Sequence, residues 1–350
     1  MKHGHGKTRQ YKQPAVFEKK EELLPLCKEI GFRADVKVIQ GPKGESVRTL
    51  AWLSNNNIVT AGDDGDLTTH DLANNSTTSV PASHERVWSV ATTPDGSLSA
   101  SGGKDGAVVL WTPTKAVIGT ARGHSSEVNS VAFNDTGKLL ASASDDGTVI
   151  IWDVSRPADP FKSSVLEGHK GWVRCSSKPP FMTLRIWTIS PSGAPLACHI
   201  DDHHHSLSLR DIAFSPLWTS HGGMLATACF DNVVRLFSLH VESGADESGA
   251  GLVKEVHFKQ SLFGHPSGVW AVCWSPDGSL LASAGFDNLV RLWKMGGHRA
   301  RERFAPATGH TGAICSMAFS PDGKSLASAS CDGTTRIWAL REAATANESG

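Results

Sequence analysis

The feature that most constrains this chain is an order of motifs that recurs with a period of about 40 to 45 residues. Residues 124–153 contain a histidine, the segment EVNSVAF, an NDTG turn, the segment KLLASAS, an Asp-Asp-Gly turn and the segment TVIIWD. Residues 265–293 and 310–338 repeat this order with SPDG turns, and in all three copies the tryptophan follows the histidine by 28 residues. A weaker copy extends from His84 to Trp111. The chain is therefore built from several copies of one structural unit.

Each copy predicts a small antiparallel β-sheet. Short segments rich in Val, Ile, Leu, Ala and Ser alternate with Pro-Asp-Gly or Asp-Gly turns, and this alternation is typical of β-hairpins. A four-stranded sheet of this size cannot bury both of its faces alone, so neighbouring sheets must stack. Radial stacking that closes into a ring leaves only short strand edges exposed. The sequence thus predicts an all-β ring of sheets.

The repeats also resemble those of the tryptophan-aspartate (WD) repeat family. Gly123-His124 together with Trp152-Asp153 is the family signature, and similar Gly-His pairs stand at 168–169, 264–265 and 309–310. The resemblance covers about residues 34–340. It implies a seven-bladed β-propeller of four-stranded antiparallel blades, in which residues 35–40 close the ring by pairing with the last blade.

This assignment divides the chain into three parts. Residues 1–33 carry six Lys or Arg before position 21 against a single Glu, and we expect a basic N-terminal arm with a short helix. The arm is either solvated, with its helix on the propeller edge, or it docks a partner or a nucleic acid. Residues 34–340 are expected to form the propeller, and residues 341–350 a flexible C-terminal tail.

The fourth repeat is expected to form an incomplete blade. Only 18 residues separate His169 from Trp187, where 28 is usual. The missing residues would form the second strand and its turns, and Pro179-Pro180 cannot supply a central strand because proline has no ladder donor. Two interpretations remain open: a three-stranded blade, or a sequence that has lost about ten coding residues near 175–181. The second is favoured because the repeat pattern resumes in register at residues 182–189, MTLRIWTI.

In the WD-repeat family a His, a Ser or Thr, an Asp and a Trp form a buried hydrogen-bond chain within each blade, and the resemblance assigns such structural tetrads here. In the first repeat, Thr60 and Asp64 are present but His70 stands where Trp is expected, and in the fifth repeat Phe237 replaces Trp. The tetrad residues of the second, third, fifth, sixth and seventh repeats are, in order, His84, Ser101, Asp105 and Trp111; His124, Ser142, Asp146 and Trp152; His205, Thr227 and Asp231; His265, Ser283, Asp287 and Trp293; and His310, Ser328, Asp332 and Trp338.

The resemblance also implies a binding face. WD-repeat proteins commonly bind partners around the mouth of the central channel, through the residue after the first apolar residue of the opening strand and the residue just before the tetrad Asp. The first set is Arg48, Trp88, Asn129, Arg174, Arg210, Trp270 and Cys315, and the second set is Asp63, Lys104, Asp145, Phe230, Phe286 and Cys331. From these we expect partner contacts at Arg48, Trp88, Lys104, Asn129, Arg210, Phe230, Trp270 and Phe286. Phe230, Trp270 and Phe286 should lie together, flanked by Arg210. These aromatic side chains either form a hot spot for partner binding or only pack on each other and cover the blade tops.

Composition narrows the function classes. The net charge of −1 supplies no general field for nucleic acid, whose binding is not expected. No apolar run approaches the roughly eighteen residues of a membrane helix. The N-terminus lacks the apolar core of a secretory signal, so we expect the cytoplasm, the nucleus or both. The seven cysteines include no CxxC pair, which favours reduced thiols without a chemical role.

Catalytic and metal motifs are also missing. The sequence has no Gly-x-Ser-x-Gly, phosphate-loop or His-Glu-x-x-His pattern, and its His, Ser and Asp sets are those of the tetrads. The run Asp201-Asp202-His203-His204-His205 has metal-ligating side chains, but His205 has the spacing of a tetrad histidine. We therefore expect no enzyme, no metal and no cofactor.

The leading hypothesis is a non-catalytic scaffold, a monomeric propeller that binds other proteins within a complex. The alternative is an adaptor that recruits substrates to a ubiquitin ligase or another modifying complex. Some adaptors of that kind carry a Trp-Asp-x-Arg ending, and here Arg156 follows Trp152-Asp153 one position too late.

Overall fold

The fold is built from β-strands joined by short turns. A computed structural model describes residues 32–41, 43–82, 84–114, 116–155, 163–169, 173, 184–190, 193–201, 204–219, 222–242, 252–296, 299–302 and 305–340. Within these ranges the strands are β1 (Phe32–Gln40), β2 (Val47–Ser54), β3 (Asn57–Gly62), β4 (Asp66–Asp71), β5 (Ser76–Pro81), β6 (Val87–Thr92), β7 (Ser99–Gly103), β8 (Ala107–Trp111), β9 (Val117–Arg122), β10 (Val128–Phe133), β11 (Leu139–Ser144), β12 (Val149–Asp153), β13 (Ser163–Leu166), β14 (Leu184–Ile189), β15 (Pro195–Asp201), β16 (Leu209–Phe214), β17 (Gly222–Cys229), β18 (Val234–Glu242), β19 (Leu252–Leu262), β20 (Val269–Trp274), β21 (Leu280–Gly285), β22 (Val290–Gly296), β23 (Arg299–Glu302), β24 (Ile314–Phe319), β25 (Ser325–Ser330) and β26 (Thr334–Leu340).

These strands form six four-stranded antiparallel sheets, which we call blades A to F in chain order. Blade A contains β2–β5, blade B contains β6–β9 and blade C contains β10–β13. Blade D contains β16–β19, blade E contains β20–β23, and blade F is made of β24, β25, β26 and β1. The innermost strand, which faces the centre of the ring, is β2 in blade A, β6 in B, β10 in C, β16 in D, β20 in E and β24 in F.

The prediction of seven four-stranded blades is wrong: the described structure has six, and the fourth repeat contributes only the two-stranded sheet β14–β15. The reason is length, because a repeat with only 18 residues between His169 and Trp187 is too short for four strands and their turns. Trp187 lies on β14, where it pairs with Cys198 of β15. Apart from Val173, the stretch 170–183, in which the shortened part was predicted, lies outside the described residues.

The ring closes through the two ends of the described chain, as predicted. Strand β1 pairs antiparallel with β26, with Val36 opposite Trp338 and Gln40 opposite Thr334. The backbone N–H of Gly41 then donates to the carbonyl of Gly333, at an N–O distance of 2.8 Å. Blade F is therefore assembled from residues nearly 300 positions apart in the sequence.

Apolar side chains between neighbouring sheets hold the ring together. Val47, Leu50 and Trp52 of blade A, for example, pack against Ala327 and Ala329 of blade F. Similar clusters join blades A to B, B to C, D to E and E to F. The β14–β15 sheet fills the place between blades C and D: one cluster joins it to blade C and another joins it to blade D. Neighbouring sheets thus bury apolar side chains against one another, as the repeat pattern requires.

Candidate functional site

A cavity of about 280 Å³ lies at the centre of the ring. Its wall is formed by the beginnings of the innermost strands of all six blades. The lining residues are Arg48, Thr49, Trp88, Ser89, Asn129, Ser130, Arg210, Asp211, Trp270, Cys315 and Ser316. They include the first predicted set of channel-mouth residues except Arg174, which lies outside the described residues.

A shared irregularity of the backbone directs these side chains to the channel. In every innermost strand the register with the second strand shifts just after the first residue, as a β-bulge does. The bulged residue is the second of the strand, and bulges commonly re-aim a side chain. The six bulged positions are Arg48, Trp88, Asn129, Arg210, Trp270 and Cys315.

The second predicted set lies beside the first. Arg48 donates to the carboxylate of Asp63, with 2.7 Å between Nη2 and Oδ2, and Asn129 donates to Asp145 at 2.7 Å. In blade F the sulfur atoms of Cys315 and Cys331 are 3.0 Å apart. Blades A, C and F thus place the two channel-mouth positions in contact with each other, and blades D and E do the same through Arg210 on Phe230 and Trp270 on Phe286.

Blade B is the exception to this pairing. The ammonium group of Lys104 is 2.9 Å from the carboxylate of Glu85 on the same blade. The indole N–H of Trp88 donates to Glu127 at 2.9 Å, and its ring lies 5.7 Å from the guanidinium of Arg48. Trp88 therefore connects blade B to its neighbours on both sides.

Blades D and E contribute an aromatic cluster, which we define as Phe230, Trp270, Phe286 and Arg210. The ring centroids of Trp270 and Phe286 are 4.9 Å apart, and those of Phe230 and Phe286 are 5.4 Å apart. The guanidinium carbon of Arg210 lies 4.3 Å from the ring centre of Phe230 and 4.1 Å from that of Trp270, which are cation–π contacts. Although its rings pack together, the cluster stays accessible, since Phe286 is 46% exposed.

Asp211, beside Arg210, is an unusual residue in the cavity wall. Its carboxylate is partly buried and accepts the backbone N–H of Val272 at 2.9 Å. Burial raises the pKa of Asp211 to about 7, and the hydrogen bonds from the backbone oppose this shift only in part. The charge of this wall therefore changes near neutral pH.

Buried hydrogen-bond chains support the cavity wall from inside the blades. In blade E, His265 Nδ1 is 2.8 Å from Asp287, His265 Nε2 is 2.8 Å from Ser283 Oγ, and the indole N–H of Trp293 donates to the same hydroxyl at 2.8 Å. The same three contacts occur in blades B, C and F. In each of these blades the hydrogen bonds fix the loop before the innermost strand, which carries the His, to the turn that carries the Asp.

Two blades have modified chains. In blade D, His205 is 2.9 Å from the hydroxyl of Thr227, while Asp231 forms an ion pair with Arg235 at 2.8 Å. Phe237, which has no N–H to donate, is fully buried. In blade A the imidazole of His70 takes the position of the indole and lies 2.9 Å from the hydroxyl of Thr60.

One surface was not anticipated from the sequence. Ile212 and Phe214 of blade D are 39% and 44% exposed, whereas the equivalent Val272 and Trp274 of blade E are 3% and 9% exposed. Ala213, between them, packs toward blade E, so Ile212 and Phe214 face the side of the β14–β15 sheet. The short fourth repeat is the sequence feature from which this exposed surface could have been predicted, because two strands cover less of blade D than four would.

The described ranges show neither a metal cluster nor a membrane helix. No three His, Cys, Asp or Glu side chains among them are arranged to hold a metal ion, and Asp202 and His203 lie outside these ranges. None of the elements in the described part of the chain is a helix of sufficient length and apolarity to cross a membrane.

Comparison with known proteins confirms the resemblance seen in the repeats. The sequence profile of the family "WD domain, G-beta repeat" matches residues 75–112, 115–153, 257–294 and 304–339. Each match ends at the third strand of blade B, C, E or F, the four blades with complete tetrads, and three of the matches begin with outer-strand residues of the preceding blade.

Curated relatives match shorter parts of the chain. The chain is similar to Nucleoporin SEH1 of Homo sapiens, at 40% identity over 87 residues, which cover 25% of this chain and 24% of that protein. It is also similar to Protein transport protein sec13 of Aspergillus fumigatus, at 33% identity over 111 residues, 32% of each chain. Similarity to Protein HIRA of Oryza sativa subsp. japonica is 28% over 137 residues, 36% of this chain and 13% of that protein. The matches thus span about a third or less of these relatives.

Proposed function

The chain belongs to the WD-repeat family, and we propose that it is a non-catalytic scaffold that binds other proteins at the mouth of its central channel. The aromatic cluster carries this proposal. Trp270, Phe230 and Phe286 are at bulge and turn positions that require no apolar side chain for folding, yet all three are large aromatics. Aromatic residues and arginine dominate the energetics of protein interfaces. Because Phe286 is nearly half exposed, the cluster offers this kind of surface to a partner.

The relatives support a binding function. Two of the three are described as a nucleoporin and a protein transport protein, and neither of these descriptions names a reaction. On this basis we expect the propeller to act as a monomer within a larger complex in the cytoplasm, the nucleus or both, with peptides or domains of other proteins as partners.

The state of the serine hydroxyls supports a non-catalytic role. A nucleophilic serine needs an accessible hydroxyl that a base can deprotonate. Ser101, Ser142, Ser283 and Ser328 are at most 1% exposed, and each hydroxyl already accepts the N–H of a tryptophan. These His-Ser-Asp sets therefore stabilise the blades and have no access to a substrate.

Affinity purification with mass spectrometry tests the proposal. The tagged chain is compared with its Trp270→Ala variant and with Phe263→Ala, which removes an aromatic ring that is 73% exposed and lies outside the cluster. We expect one or more proteins to be recovered with the chain and with Phe263→Ala but lost with Trp270→Ala. Recovery of cullin-ligase subunits would favour the adaptor alternative, whereas another stable complex favours the scaffold. Equal recovery with all three chains would contradict binding at the channel mouth.

A further inference from the structure

Two cysteines of blade F form a close pair at the channel mouth. Cys315 is the bulged second residue of β24, and Cys331 follows the last residue of β25. Their sulfur atoms are 3.0 Å apart, and a disulfide requires about 2.05 Å, so a movement of about 1 Å would join them. The backbone holds the pair in place, because the N–H of Cys331 donates to the carbonyl of Ala313 at 2.9 Å.

The two thiols have different surroundings. The guanidinium of Arg48 reaches Cys331, with 3.5 Å between Nη1 and Sγ, and Asp63 fixes the orientation of that guanidinium. The hydrogen bond between the two sulfur atoms, together with the charge of Arg48, holds the pKa of Cys331 below its usual value. The same bond raises the pKa of Cys315. The deprotonated form is therefore favoured at Cys331 and disfavoured at Cys315.

The other cysteines whose side chains the structure describes are different. Burial raises the pKa of Cys229 to about 11, and it also raises the pKa of Cys273. Neither has a sulfur partner among the described residues. Reactive thiols are thiolates that a reagent can reach, and Cys331 is only half-buried.

We propose that Cys315 and Cys331 form a redox-modification site that hydroperoxides oxidise to a disulfide at the channel mouth. The Cys331 thiolate attacks one oxygen of hydrogen peroxide, the O–O bond breaks, and hydroxide leaves and takes up a proton, which makes water and a sulfenic acid on Cys331. The sulfur of Cys315 then attacks the sulfur of Cys331. The S–S bond forms, the S–O bond breaks, and the thiol proton of Cys315 leaves with the hydroxyl as a second water. Two thiols lose two electrons, and one peroxide becomes two waters.

Peptide mapping of the full chain tests this site. The reduced protein is treated with one equivalent of hydrogen peroxide, free thiols are alkylated, and the protein is digested with trypsin, which cleaves after Arg303, Lys324 and Arg336. We expect a disulfide that links peptide 304–324 to peptide 325–336, while Cys229 and Cys273 remain alkylated. Alkylation of all four cysteines, or disulfides that join other cysteines as readily, would overturn the proposal. Because the unmutated chain is mapped, this result does not depend on the stability of a variant.

Two variants test the order of the steps. In Cys315→Ser the resolving thiol is gone, so peroxide should leave a sulfenic acid on Cys331 that dimedone traps. Cys273→Ser is the matched control and should form the 315–331 disulfide as the unmutated chain does. Dimedone labelling of Cys273 instead of Cys331 in the Cys315→Ser variant would contradict the assignment of Cys331 as the attacking thiolate. A melting curve of each variant verifies that it is folded.

Discussion

The carboxylate of Asp211 accepts the backbone N–H of Val272, with 2.9 Å between Oδ2 and N, and this hydrogen bond joins blade D to blade E. The same link occurs elsewhere with a hydroxyl as the acceptor. Thr49 accepts the N–H of Val90 at 3.1 Å, and Ser89 accepts the N–H of Val131 at 3.1 Å. Blade D thus uses an ionisable group where blades A and B use a neutral one.

Replacement of Asp211 by Asn should stabilise the protein above neutral pH. The folded-state pKa of about 7 lies above the ordinary value of 3.8, so the folded chain binds the proton more tightly than the unfolded chain does. The contribution of Asp211 to the free energy of unfolding is therefore full below pH 4 and falls as the pH rises to about 7. Melting temperatures between pH 4 and pH 8 should show Asp211→Asn higher by roughly a few degrees at pH 8 and equal to the unmutated chain at pH 4. Parallel curves would contradict this, and the exposed Asp135→Asn is the control.

Ser283→Ala should destabilise blade E severely. The substitution removes the acceptor of the Trp293 N–H and the partner of His265, both of which are buried. Two buried polar groups without partners cost about 2 to 4 kcal/mol of the free energy of unfolding. Denaturant unfolding measures the loss, and Ser279→Ala, at an exposed position of the same blade, should change little. Similar values for the two variants would mean that the chain of hydrogen bonds contributes no stability.

Phe214→Ala and Phe319→Ala should differ in cost although both remove a phenyl ring from the last position of an innermost strand. Phe319 is 8% exposed between blades, and its truncation should cost about 3 to 5 kcal/mol. Phe214 is 44% exposed, so its truncation should cost about 1 kcal/mol or less. Chemical denaturation of the two variants measures both values. Equal losses would show that the face of blade D next to the β14–β15 sheet is covered.

Removal of β1 should open the ring. A chain that lacks residues 1–40 loses the partner of β26, which leaves an unpaired strand edge that promotes aggregation. We expect a much lower melting temperature and aggregation that increases with protein concentration. A chain that lacks only residues 1–31 should melt like the full chain, because these residues are predicted to form an arm outside the ring. Identical melting curves for the two deletions would argue against closure through β1.

The sequence predicts which side chains line the central channel better than it predicts the number of blades. The apolar first residue of each innermost strand marks the position that follows it, so the family resemblance could place Arg48 and Trp270 at the channel. The blade count came from the family, and it failed at the fourth repeat because the segment around Trp187 keeps the pattern of the outer strands while the residues for the inner ones are too few.

Contacts between blades could not be read from the spacing. The hydrogen bond from Val272 to Asp211 and the sulfur contact between Cys315 and Cys331 depend on how bulges and turns aim side chains in three dimensions. The N-terminal arm and the C-terminal tail lie outside the described residues, apart from the first two positions of β1, so their assignments stay predictions. The roles of the channel-mouth residues in binding also stay predictions.

The affinity of a purified partner for the unmutated chain and for Trp270→Ala tests the central claim most directly. The partner is a protein recovered with the unmutated chain, and its dissociation constant is measured by calorimetry beside a melting curve of each chain. We expect Trp270→Ala to weaken binding about thirtyfold, equivalent to about 2 kcal/mol, because it removes the centre of the aromatic cluster, while the melting temperature changes little. The control Phe263→Ala should bind like the unmutated chain. An unchanged dissociation constant for Trp270→Ala, or unfolding that accounts for its loss of binding, would contradict the channel mouth as the partner-binding face.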